Sequence, residues 1–218
     1  MKFKSFLFTL LFFARLNSIS AQVVSQDING RPYRLKGAVD VEGSAFLNDD
    51  WQKATVKLSN GKTYKDASLK FNLADNELLF KGKDGEPFTF MEPVSEFAIT
   101  DDLQNIHTYR NDYSFEGESP ATYFEVLADG TTQLLKKTTK SIGDFKEYNG
   151  PIVKKYVTSV KYYLYKDKKA IQIKPDRKSL LYSLGSKQAE LDTYIKNNNL
   201  NLKQDADLGK VVVYFNSI

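Results

Sequence analysis

The sequence predicts an α+β protein that is mainly β: an antiparallel meander of about nine strands forming a curved sheet or open barrel, followed by two or three short C-terminal helices. Three observations lead there. Apolar and polar residues alternate with the period of 2 that suits half-buried strands through much of the stretch from Phe46 to Ile173. Turn sequences punctuate those runs: Asn60-Gly61, Gly82-Lys83-Asp84-Gly85, Asp129-Gly130 and Asp167-Lys168-Lys169. After Pro175 the apolar period changes to 3.6.

The elements follow in order. Ala54, Val56 and Leu58 alternate with Thr55, Lys57 and Ser59, and Asn60-Gly61 then suits the two positive φ values of a tight hairpin. Leu69, Phe71 and Leu73 alternate with Lys70 and Asn72 until Ala74-Asp75-Asn76 breaks the run. Leu78 and Phe80 form a third strand, Phe88 and Phe90 a fourth, and Phe97 and Ile99 a fifth after Pro93. Asp101 to Pro120, rich in Asp, Asn, Glu, Gly and Ser, reads as a loop with a possible edge strand over Ile106 to Arg110. Tyr123 to Leu127 and Thr131 to Thr139 make a hairpin about Asp129-Gly130; Gly143 to Pro151 reads as a connection. Val157 to Tyr165 then pairs with the strand begun by Ala170, Ile171 and Ile173.

In the tail, Asp176 caps a helix carrying Leu180, Leu181 and Leu184, with Gly185 suited to a left-handed C-terminal residue. Ser186 is the expected cap of a second helix carrying Leu191, Tyr194 and Ile195. Leu208, Val211, Val212 and Phe215 are spaced for a third. The run Val211-Val212-Val213-Tyr214-Phe215 would also suit a buried strand, but the acidic Asp205 and Asp207 ahead of it favour helix.

Residues 1–21 read as an export signal: Lys2 and Lys4 precede an apolar run over Phe6 to Ala14, and Ala21 offers a small residue at the cut. The expected organisation is therefore a removed leader, 1–21, an antiparallel β region, 22–175, and C-terminal helices, 176–218, packed on the same domain. The expected location is periplasmic or secreted. No run after Gln22 has the length and apolarity of a membrane helix. Gln22 rather than Cys at the junction excludes a bacterial lipid anchor, and the lack of any Cys excludes thiol nucleophiles and thiolate metal sites. Losing Lys2, Lys4 and Arg15 with the leader lowers the net charge from +4 to +1, which argues against a nucleic-acid partner. The charge is uneven: 11 basic and 19 acidic residues over Gln22 to Gly130, then 17 and 8 over Thr131 to Ile218. The preferred reading is two halves lying side by side and neutralising each other, the other being two surfaces for different partners.

His107 is the single histidine, so a catalytic triad could be built only around it; a surface or hydrogen-bonded role is preferred. Asp49-Asp50 and Asp101-Asp102 lack calcium-loop spacing and read as turns or caps. Trp51, the single tryptophan, reads as a core anchor before a ligand platform. On a strand, Tyr163 and Tyr165 share one face with Lys161, while Tyr156, Tyr162 and Leu164 share the other. Trp51, Tyr156, Tyr162, Tyr163, Tyr165 and Lys161 are the candidate ligand-binding residues, since rings beside lysines can stack on sugars or bases or accept an acidic partner. No catalytic residue, metal ligand or cofactor is assigned.

The string Gly43 to Trp51, then Asn60-Gly61-Lys62 and Phe71-Asn72-Leu73, with Ala21-Gln22 at the cut, resembles uncharacterised exported proteins of Bacteroidota-type bacteria. Tyr194-Ile195-Lys196 and the ending Tyr214-Phe215-Asn216-Ser217 look like theirs too. The resemblance implies export and transfers no activity and no site residue. The functional expectation is a non-catalytic binding module for a ligand or an envelope protein. The alternatives are a carbohydrate-acting hydrolase using carboxylates and a structural or adhesive envelope protein.

Overall fold

A computed structural model describes residues 28–34, 40–146, 148 and 150–218; the expected leader lies outside them. The strands are β1 (Gly30–Pro32), β2 (Val41–Glu42), β3 (Gln52–Leu58), β4 (Thr63–Asn72), β5 (Glu77–Lys81), β6 (Pro87–Phe90), β7 (Val94–Thr100), β8 (Ile106–Arg110), β9 (Phe124–Ala128), β10 (Gln133–Lys146), β11 (Ile152–Lys166) and β12 (Lys169–Ile173). Three helices follow: α1 (Arg177–Leu184), α2 (Gln188–Asn197) and α3 (Asp205–Ser217). All the strands join one sheet in the order β1-β6-β5-β4-β3-β7-β8-β9-β10-β11-β12, with β2 beside β11.

That order forces curvature. Phe90 and Val94 are four Cα steps apart, a reach of at most about 14 Å. Four strand spacings in a flat sheet, from β6 across β5, β4 and β3 to β7, would need about 19 Å. The first strands therefore curl round, and the inner face they wrap is filled by Val56, Leu69, Phe71, Phe80, Phe97 and Tyr109. Rings meet mostly edge to face there: Phe71 and Phe97 have centroids 5.3 Å apart at 70°, and Phe71 and Tyr123 lie 5.7 Å apart at 88°.

The second core lies on the same face further along the sheet. Ala128, Leu134, Leu164 and Ile173 are covered by Leu180, Leu191, Leu208, Val211 and Val212 from the three helices. A Cβ at Gly209 would meet the Leu127 carbonyl oxygen at 2.7 Å, so glycine lets α3 approach β9. Asn216 fastens the other end of that helix, its Oδ1 accepting from the Thr132 N–H (3.0 Å) and its Nδ2 donating to the Thr132 carbonyl (2.8 Å). On the opposite face Phe124, Leu135 and Tyr163 are buried beneath Tyr113 and Phe115 of the loop before β9.

Several expectations need correction. The sheet has twelve strands rather than about nine, and it is not a clean meander, because β7 returns to the far side of β3 and β2 runs parallel to β11. The sheet is curved but not closed. Strand β8, expected at an edge, lies between β7 and β9. The connection expected over Gly143 to Pro151 is shorter, because β10 continues through Gly143 to Lys146 and β11 starts at Ile152, the two pairing continuously from Gln133↔Tyr165 to Lys146↔Ile152. At Asn60-Gly61 only Gly61 has positive φ (87°), and its N–H donates to the Leu58 carbonyl (2.9 Å), so that hairpin turns with a glycine bulge. The two-residue turn with paired positive φ sits instead at Asp167 (51°) and Lys168 (60°). Helix α1 has the expected cap, Asp176 accepting from the Ser179 N–H (2.8 Å). Before α2 the cap position is Lys187, with φ 62° and no side-chain cap, rather than Ser186.

The charge halves do lie together. Ion pairs Glu42–Lys155, Glu118–Lys137 and Glu125–Lys136 join acidic residues of the first half to lysines of the second.

Candidate functional site

Two polar constellations stand out against this frame. The first follows from register. Phe97, Tyr109, Glu125, Lys136, Tyr162 and Ile173 are directly opposed partners on six successive strands, so they form one row on one face. The ends of the row belong to the two cores, and its middle is an ion pair. Glu125 is only 6% exposed; its Oε2 lies 3.0 Å from Lys136 Nζ and its Oε1 2.7 Å from His107 Nδ1. Lys136 also donates to Asp205 (2.6 Å) at the first turn of α3, and the Tyr162 hydroxyl donates to the same carboxylate (2.7 Å). The other nitrogen of His107 lies 3.3 Å from Asp101.

Burial works to lower the His107 pKa, but Glu125 and Asp101 outweigh it and the imidazole titrates above its ordinary value. Lys136 behaves alike: burial opposes its charge, and Glu125 and Asp205 more than restore it. Burial first, then the hydrogen bond to Asp205, pushes the Tyr162 hydroxyl up to about 12. Both ring nitrogens of His107 are occupied by carboxylates. The constellation thus joins sheet to helix through satisfied pairs, the arrangement a buried charge needs.

The second constellation borders a cleft of about 570 Å³, a size suited to a small ligand. The outer part of the β10–β11 hairpin makes one wall. The other is the β4–β5 turn with the segment before Trp51, which runs beside the end of β4: Leu47 N–H donates to the Phe71 carbonyl (2.8 Å) and Leu73 N–H to that of Ala45 (2.9 Å). Lys140 ties the walls together, its backbone N–H donating to the Leu73 carbonyl (3.2 Å) and its ammonium to that of Phe46 (2.5 Å).

Asn72 organises the floor. It is 3% exposed, and its Oδ1 accepts from the backbone N–H groups of Ala74 (2.9 Å) and Asp75 (3.2 Å). Its amide nitrogen donates to the Tyr33 hydroxyl (3.1 Å) and to Asp75 Oδ2 (3.0 Å). An amide so engaged has no capacity left for a ligand, whereas the Tyr33 hydroxyl keeps its proton to donate and Asp75 keeps acceptor positions. Burial is the main reason the Tyr33 pKa is raised, with Asp75 adding to it, so the phenol stays protonated at neutral pH. Phe46 and Tyr156 supply rings.

Of the residues singled out in the sequence, Tyr156 lines this cleft. The others do not meet there. Tyr162 packs with the helix-covered core, while Tyr163 and Tyr165 belong to the opposite face, so the alternation predicted for β11 is observed. Tyr163 donates to Glu118 (3.2 Å), and Tyr165 packs against Tyr113 with ring centroids 5.0 Å apart. Lys161 is exposed. Trp51 is half-buried and outside the core clusters; Lys70 sits 5.3 Å over its ring.

Sequence reasoning missed Tyr33, Phe46, Asn72, Asp75 and Lys140, which come from four separated segments. One local signal existed: Asn72 three residues before Asp75 in a strand-ending stretch is the spacing of a side chain that caps its own turn. Among the described residues no group of three or more His, Cys, Asp or Glu side chains could hold a metal ion, and no helix is long and apolar enough to cross a membrane. Comparison with known proteins finds no matching family model, no similar curated protein and no similar solved structure.

Proposed function

We propose that the protein is a non-catalytic binding module, exported to the periplasm or beyond, that holds a small ligand in the cleft between the outer β10–β11 hairpin and the β4–β5 turn. The observation that carries this reading is the Asn72 network: a buried amide spends its whole hydrogen-bonding capacity on presenting Tyr33 and Asp75 at the cleft. Fixed polar groups facing an aromatic-walled recess are what orientation of a ligand requires. The alternative of a carboxylate hydrolase finds less support, because Asp75 is the one carboxylate lining this cleft among the described residues, and glycoside hydrolysis ordinarily uses two.

Native mass spectrometry of the protein purified from its own source tests the reading. A copurifying small molecule is expected, lost from the Tyr156→Ala variant and unchanged in mass on prolonged incubation. A ligand-free protein, or a ligand retained equally by the variant, would overturn it.

A further inference from the structure

We infer that the ligand is a neutral polyhydroxylated molecule, a saccharide; this rests on the cleft being a binding site.

Among the described residues the lining carries one acidic and one basic side chain, Asp75 and Lys140. An anionic ligand would meet the carboxylate and a cationic one the ammonium, so neither gains a field of one sign across the cleft. A purely apolar ligand would desolvate Asp75, Lys140 and the Tyr33 hydroxyl without giving them further partners, at a cost for each group left unpaired. A neutral molecule bearing many hydroxyls avoids both penalties, because each hydroxyl donates one hydrogen bond and accepts two.

The roles then distribute by chemistry. Tyr33, whose oxygen already accepts from Asn72, donates its proton to a sugar oxygen. Asp75, one of whose oxygens accepts from Asn72, takes hydrogen bonds from sugar hydroxyls. Lys140, held on the Phe46 carbonyl, has two further N–H groups to give. Phe46 and Tyr156 present the apolar surface against which the C–H face of a pyranose packs. The recess is large enough for one or two sugar units on the usual scale of ligand pockets.

Isothermal titration of the mature protein against neutral oligosaccharides, namely cello-, xylo-, malto- and chito-oligomers, tests this, with oligogalacturonate and a neutral tetrapeptide as comparisons. At least one neutral oligomer is expected to bind, with affinity little changed by added salt because the ligand has no charge to screen. Tyr33→Phe, which removes only the hydroxyl, should weaken binding about tenfold, as the loss of one hydrogen bond of about 1.4 kcal/mol predicts. Ile142→Trp, at an exposed position lining the cleft directly across from Tyr156, should block binding without lowering the unfolding midpoint. Preference for the uronate or the peptide, blocked by Ile142→Trp, would overturn the saccharide assignment and leave the binding module standing. Saccharide binding indifferent to both variants would overturn the assignment to this cleft. A protein that binds none of the probes and carries no copurifying ligand would overturn both readings.

Discussion

The two cores share one face of one sheet, yet they are built differently. The first is closed by the sheet's own curvature, and in its interior Phe71 and Phe97 lie within 6 Å of each other and of both Tyr109 and Tyr123. The second is covered by helices and is almost wholly aliphatic, with Leu180, Leu191, Leu208, Val211 and Val212 over Leu134, Leu164 and Ile173. Stacked sheet layers stand about 10 Å apart, a gap that aromatic rings fill, whereas helices bring side chains of their own and α3 approaches more closely at Gly209. Strand patterning alone therefore does not distinguish these cores; the covering layer selects the kind of side chain. Between them lies the Glu125–Lys136 pair, which interrupts an otherwise apolar row.

The sharpest way to break this comparison is Phe97→Ala. Phe97 is 1% exposed and touches three rings, so its truncation should cost about 3–5 kcal/mol in urea unfolding. If the cores form one cooperative unit, Trp51 fluorescence and helical circular dichroism will shift together; separated transitions would show that the seam divides the molecule into two folding units.

A smaller effect tests the seam itself. Lys136→Met should cost about 2–3 kcal/mol, because Glu125 keeps His107 but loses the lysine that compensates its burial. Replacing both members, with Glu125→Leu added, should recover most of that loss. Failure of the double variant to recover would mean that Asp205 and His107, left with only Tyr162 and Asp101 as partners, depend on the pair more than the sheet does.

The pH dependence comes next. The folded pKa of His107 is raised above its ordinary 6.5, so protonated His107 adds stability that is fully present below that value and lost as pH rises through the folded pKa. The unfolding midpoint of the wild type should therefore decline from about pH 6.5 upward relative to a His107→Gln variant. Parallel curves would show that the imidazole contributes nothing through its charge.

Two surface changes should have the least effect. Asp176→Ala removes the α1 cap and should cost about 1 kcal/mol. Trp51→Ala should also cost about 1 kcal/mol, the scale of a lysine over a half-buried ring at the edge of the fold, rather than the loss of a core anchor. Either variant unfolding several kcal/mol earlier would place these contacts in the cores after all.

Much of this was legible along the chain. The alternation that placed Tyr163 and Tyr165 opposite Tyr162 and Leu164 is a local property of an extended backbone, and it held. The helical spacing of Leu208, Val211 and Val212 prevailed over the β propensity of three consecutive valines, because in the fold that stripe is what buries against β9 and β10. Local turn chemistry was less decisive: a glycine bulge replaced the expected two-residue turn at Asn60-Gly61, and the latter arose at Asp167-Lys168, where Lys166 and Lys169 pair directly. Of the cleft, Tyr156 alone was foreseen.

The sequence by itself determined which segments are extended and which helical, which side chains share a strand face, and that the C-terminal stripe seeks an apolar partner; these depend on neighbours within a few residues. Only the tertiary structure decided that Glu125 would face Lys136, that β6 and β7 would flank β3 to β5, and that Tyr33, Asn72, Asp75 and Lys140 would border one recess. Those outcomes depend on strand register and sheet curvature, quantities shared among residues far apart in the chain and written in no single stretch of it.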